Sequence, residues 1–146
     1  MVLAIHEARK AELNNNIPIG AIIVNKRNYI VGRGFNQVVT VQDPTLHAEI
    51  IAIRCATRKT GNLRLLKCNM YVTQEPCYMC LGAIIHARIT GVFYIIHNPK
   101  FGVIYSTLRL HKSYFFNHKI IFLQKKVLYY KVSSLLKFFF KYKIYF

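Results

Sequence analysis

Two short stretches hold residues that could do chemistry together, His47-Ala48-Glu49 and Glu75-Pro76-Cys77-Tyr78-Met79-Cys80. Taken alone, a pair of cysteines separated by two residues fits a redox dithiol, half of a structural zinc site, or part of a catalytic one. The chain has only four cysteines, which is no disulfide framework. A structural zinc site needs four protein ligands, whereas a catalytic one keeps three and leaves a position open. His47 is the best third ligand, and Glu49 stands two residues on, where a base beside an activated water would have to be. Neither spare cysteine reaches the site easily. Cys55 lies roughly 12 Å along the helix expected to begin near His47, and Cys68 is separated from Cys77 by an expected strand of about 17 Å. Each residue singly has a plainer role: a histidine at a helix start caps it, and a glutamate there complements the dipole. The combination of one histidine, two cysteines and a neighbouring carboxylate is the pattern of a hydrolytic zinc catalyst.

Such a site needs elements that bring its two halves to one place. Leu3, Ile5, Ala8 and Leu13 can share a face of a helix over 2–13, which the asparagines at 14–16 end. Ile19–Val24 and Tyr29–Phe35 are rich in β-branched and aromatic residues and are joined by a short polar connection, so they predict a hairpin. Asp43-Pro44-Thr45 signals the start of a helix running from about Leu46 to Thr57 or beyond, with His47 in its first turn. Its positive end disfavours imidazolium and keeps the ring able to ligate. Asn69–Gln74 predicts a third strand. Pro76 suits the first turn of the next helix, which places Cys77 and Cys80 on one face, where the dipole favours thiolates, and which ends near Thr90-Gly91. Val92–Ile96 predicts a fourth strand and Lys119–Leu123 a fifth, with 98–110 irregular and a last helix over 126–143. Alternating helices and strands in a chain this short predict one α/β domain spanning 1–146, three layers deep, with a five-stranded mixed sheet.

The chain has 146 residues, 53% of them hydrophobic, which excludes a disordered chain. No apolar run near the C-terminus approaches the roughly 18 residues of a membrane span, and the first residues lack the basic start of a signal peptide. The reading is a cytoplasmic protein without a membrane partner. The formal net charge is +16, and no acidic residue follows Glu75. Such an excess favours a polyanionic partner, nucleic acid first. Lysine, like Phe, Tyr, Met, Ile and Asn, also has A+T-rich codons, so compositional drift is an alternative source of the charge.

The pattern H-x-E followed by P-C-x-x-C is the signature of zinc base deaminases. With "IPIGAIIV", "GRGFN", "DPTLHAEIIAIR", "MYVTQEPCYMCLGAIIHARI" and the closing "LLKFFFKYK", the chain resembles, over nearly its whole length, the bacterial tRNA-specific adenosine deaminases of the cytidine deaminase-like superfamily. The resemblance implies an α/β/α fold, a homodimer and one Zn²⁺ per subunit on His47, Cys77 and Cys80. It implies conversion of adenosine to inosine at wobble position 34 of a tRNA, typically the arginine tRNA with anticodon ACG. Glu49 is then the proton carrier between water, N1 of adenine and the leaving ammonia. Asn36 hydrogen-bonds the flipped base, and the backbone around Ala48 reads the base edge. The tail residues Phe139, Phe140, Lys141 and Lys143 pack near the anticodon loop, aromatics for stacking and lysines for phosphate. Departures from the family pattern are Lys141 and Lys143 where arginine is usual, Asn98 where an acid is common, and Ile95-Ile96 in place of small residues. They touch the tRNA contacts more than the chemistry. A deaminase of a free base or nucleoside, and a non-catalytic zinc-stabilised RNA-binding module, are the alternatives. The basic charge and long tail argue against the first, and Glu49 against the second.

Overall fold

A computed structural model describes residues 1–112 and 116–142. Helix α1 (Val2–Leu13) leads into a hairpin of β1 (Gly20–Val24) and β2 (Ile30–Phe35). The short helix α2 (Val38–Val41) and the long helix α3 (Ala48–Thr60) follow. Then come β3 (Asn69–Gln74), α4 (Tyr78–His86) and β4 (Gly91–Ile96). A 3₁₀ turn at Leu110–Lys112, β5 (Ile121–Gln124) and α5 (Tyr129–Tyr142) complete the described chain. The sheet is five-stranded and mixed, in the order β2-β1-β3-β4-β5. β1 is antiparallel to both β2 and β3, while β3, β4 and β5 are parallel to one another.

That order explains how distant sequence meets. β2 and β3 both run opposite to β1, so they point the same way, and their carboxyl ends lie at one end of the sheet. α3 follows β2 and α4 follows β3, so both helices start there.

Register divides the side chains between two faces. Ala21, Ile23, Met70, Val72, Val92 and Tyr94 pack with Ala48, Ala52 and Ala56 of α3 and Ile84 of α4. Full burial of each larger member contributes about 1.5–3 kcal/mol. On the other face a smaller cluster joins Ile5, Ile95 and Ile96 to Val132 and Leu136 of α5. Helices thus cover both faces, as the alternation of elements predicts. α3 lies very close to β2 because the facing positions are glycines. A Cβ on Gly32 would stand 2.3 Å from the Ala52 carbonyl oxygen, and one on Gly34 2.2 Å from that of Ala48.

Several boundaries differ from expectation. α3 begins at Ala48, with His47 as its extended N-cap, and ends at Gly61 in the left-handed region (φ 65°). The Asp43 carboxylate accepts the Thr45 N–H at 2.8 Å and so spends that signal on a turn before the helix. α4 stops at His86, and Arg88 is left-handed (φ 59°). α5 waits until Tyr129 because Leu128 is left-handed (φ 68°). The buried stripe of α1 is Ala4, Ile5, Ala8 and Ala11, while Leu3 and Leu13 are exposed. Small residues are needed there because α1 sits directly on Gly20. Among the described residues no helix is long and apolar enough to cross a membrane.

Candidate metal centre and active site

At the shared helix-start end of the sheet, His47 is the N-cap of α3 and Cys77 the N-cap of α4. Cys80 follows one turn later on α4 and is fully buried. The Nδ1 atom of His47 lies 3.6 Å from Cys77 Sγ and 3.5 Å from Cys80 Sγ. The three ligand atoms lie within 4.8 Å of one another. Zinc bonds of about 2.3 Å to sulfur and 2.0 Å to nitrogen at tetrahedral angles set such ligands roughly 3.5 Å apart, so the donor set fits one zinc ion per chain. Among the described residues this is the one cluster of its kind. Cys55 is exposed on α3, and Cys68 is buried away from the cluster with its thiol toward the Leu66 carbonyl.

The electrostatics suit a metal. The hydrogen bond from the Cys80 thiol draws the Cys77 pKa down to about 4, with further help from His47. Cys80 is raised, first by that same bond to Cys77 and then by burial. His47 is raised by its bond to Cys77. The Cys77 contact thus works against the α3 dipole, which favours the neutral, ligating ring.

Glu49 is 4% exposed and lines a cavity together with His47 and Cys77. Burial pushes its pKa up to about 7, against the hydrogen bonds it accepts from its own N–H and from Cys80. A carboxyl poised near neutrality can both take and give a proton. The cavity holds about 760 Å³, room for a nucleobase and its sugar but not for a duplex. We call its lining residues His47, Glu49 and Cys77 the floor and its lining stretch Asn98, Pro99, Lys100 and Phe101 the wall; Ile17 and Ile19 line it too. Phe140 reaches it from α5.

The remaining predicted residues are placed unevenly. Ala48 is fully buried, its carbonyl against Gly34. Asn36 is buried, and its side-chain oxygen accepts the Val38 N–H at 3.0 Å; it is not among the residues lining the cavity. The expectation that both Phe139 and Phe140 face a bound loop needs correcting. Phe139 is 5% exposed and packs inward, edge-on to Phe140, because successive helix positions point about 100° apart. Lys141 is exposed, its ammonium 5.0 Å from the centre of the Tyr142 ring. Lys143 lies outside the described residues.

Sequence reasoning missed Glu75. Its buried carboxylate accepts the N–H groups of Tyr105 (2.7 Å), Ser106 (3.0 Å) and Asn98 (3.2 Å), the Ser106 hydroxyl, and His97 Nδ1 (3.1 Å). Burial raises its pKa, but these donors outweigh burial and hold it below the usual carboxylate value. One signal was available: Glu75 is the last acidic residue of the chain and directly precedes Pro76-Cys77.

Residues 1–96 match the model of the cytidine and deoxycytidylate deaminase zinc-binding region, so the fold and site define a member of that deaminase family. The chain is 42% identical over 120 residues to a tRNA-specific adenosine deaminase of Haemophilus influenzae, covering 82% of this chain and 69% of the relative. It is 40% identical over 149 residues to one of Buchnera aphidicola subsp. Baizongia pistaciae, covering 98% and 87%. It superimposes with a TM-score of 0.86, at 34% identity over 93% of this chain and 97% of the other, on a solved structure from work on A-to-I editing by tRNA:A34 deaminases at the wobble position of transfer RNA. The chain belongs to the tRNA-specific adenosine deaminases.

Proposed function

We propose that this chain hydrolyses the wobble adenosine at position 34 of a tRNA to inosine, releasing ammonia. The observation that carries the reading is the convergence of His47, Cys77 and Cys80 donors beside the buried Glu49 in one cavity. His47 through Nδ1 and the Cys77 and Cys80 sulfurs would hold the zinc. When bound, zinc supplies Lewis-acid activation of water at neutral pH. Glu49 takes a proton from the attacking water and delivers it to N1 of adenine. As the C6–N6 bond breaks, Glu49 carries a second proton from the new C6 hydroxyl to the departing amine, which leaves as ammonia and restores the carboxylate. The pKa near 7 suits both transfers.

A stacked base could not enter the cavity, so the anticodon loop must splay out its wobble nucleotide. Backbone near Ala48 reads the base edge. Asn36, by resemblance to the family, hydrogen-bonds the flipped base. Phe140 stacks at the rim, with Lys141 and Lys143 near phosphate. An arginine tRNA with anticodon ACG is the expected substrate, and a homodimer working in the cytoplasm, each subunit one deaminase domain, the expected form.

The test is to incubate purified, zinc-loaded protein with that tRNA and read position 34 by reverse transcription, where inosine pairs as guanosine. Conversion at that single position is expected. Deamination of free adenosine, guanine or cytidine with the tRNA left unchanged would remove the reading.

A further inference from the structure

We infer that Glu75 is a positioning residue, whose carboxylate holds segment 97–106 as the wall of the substrate cavity and so sets how tightly the anticodon loop is gripped. The inference rests on the deaminase reading above and concerns a residue outside its chemistry.

Every hydrogen bond to this carboxylate described above comes from the one segment. One oxygen accepts the amides of Tyr105 and Ser106, and the other takes His97, the Asn98 amide and the Ser106 hydroxyl. Glu75 therefore ties the two ends of the segment to the strand–helix junction that carries Cys77. The segment's Asn98, Lys100 and Phe101 line the cavity that Glu49 also lines. The segment's own bonds are local. Asn98 accepts Gly102 N–H at 2.8 Å through its carbonyl and Phe101 N–H at 3.2 Å through its side chain. Further tethers join Val103 N–H to the Pro76 carbonyl at 3.2 Å and the Tyr105 hydroxyl to the Phe122 carbonyl at 3.5 Å, and Ile104 packs in the larger apolar cluster.

The close fit confirms where the strut acts. A Cβ on Gly102 would stand 2.6 Å from the Glu75 carboxyl carbon, so the wall comes as near as only glycine allows. Glu75 lines the same cavity as Glu49, yet both its oxygens are engaged by the wall, so it is not a second proton carrier. The zinc ligands and Glu49 stand at the starts of α3 and α4, which are seated on the larger apolar cluster. Loosening the wall therefore removes binding shared by ground and transition states, a rise in KM with little change in kcat.

Zinc-loaded wild type, Glu75→Gln and Ser106→Ala proteins are compared on an anticodon stem-loop, with amide hydrogen exchange at Tyr105 and Ser106 as a second readout. In Glu75→Gln an NH₂ replaces one acceptor and faces donors. About a tenfold rise in KM is expected, with kcat within about twofold. Zinc per chain should be unchanged, and both amides should lose protection. Ser106→Ala removes one donor, and about a threefold rise in KM is expected. A folded, zinc-replete Glu75→Gln protein with wild-type KM, or one that loses kcat at unchanged KM, would overturn the inference. Should Glu75→Gln not fold, Ser106→Ala decides, and an unchanged KM overturns it equally. If wild type leaves the stem-loop untouched, the deaminase reading fails. Exchange at the two amides still shows whether Glu75 holds the wall: unchanged protection in the variant overturns the inference.

Discussion

The floor and the wall of the cavity are built on different principles. On the floor, His47 and Cys77 are N-caps of two helices, and Cys80 and Glu49 follow within the first turn of each. Those helices are packed on the larger apolar cluster, with α3 seated against glycines of β2. The wall is a loop that one carboxylate ties at both ends, with a few further bonds, and the rim is a ring on the last helix, held by the smaller cluster. Chemistry demands fixed geometry and is placed on short, rigid spacings. Grip on a large substrate tolerates adjustment and is placed on elements joined by a few long-range bonds.

The largest effect should come from breaking the floor at the metal. Cys77→Ala is expected to drop bound zinc from one per chain toward none, with turnover lost. Atomic absorption on the purified variant checks this, and full zinc occupancy would strike Cys77 from the ligands. Next, Glu49→Gln should keep zinc and KM but lower kcat by about 10²–10⁴-fold, as single-turnover assays would show; near-wild-type turnover would end its role as proton carrier.

Gly34→Ala probes what seats the floor. Its new methyl would meet the Ala48 carbonyl oxygen at 2.2 Å, so the start of α3 must shift. A loss of about 1–3 kcal/mol of stability is expected in denaturant melts, accompanied by lower activity. An unshifted melt would mean that α3 has slack against β2.

At the rim, Phe140→Ala should raise KM roughly tenfold through lost stacking while leaving kcat nearly intact. A fall in kcat instead would place Phe140 on the floor's side of the comparison. Smallest of all, Lys141→Ala should weaken stem-loop binding only a few-fold and lower the salt dependence by about one counterion. A slope that does not move would assign Lys141 to the solvated face of α5.

What was legible in the residues follows the same division. His47, Glu49, Cys77 and Cys80 were readable because helix-start signals and i, i+3 spacing are local, and a zinc site has few ways to be made. Glu75 was not, because its partners lie 22 to 31 residues away and nothing local marks them. Phe139 and Phe140 look alike in sequence, and only the angle at which α5 lies on the sheet turns one inward and leaves the other at the cavity.

By itself, then, the sequence determined the main elements, though not α2, and a zinc-type ligand set with a neighbouring base, since periodicity, capping and metal preference are written in neighbouring residues. Tertiary structure alone decided that β2 and β3 point the same way and so bring the two motifs to one end of the sheet. It also decided that the Glu75 carboxylate meets segment 97–106, as Glu49 meets the metal centre. Strand order, burial and the partners of a buried charge depend on residues far apart in the chain, and only the packed molecule brings them together.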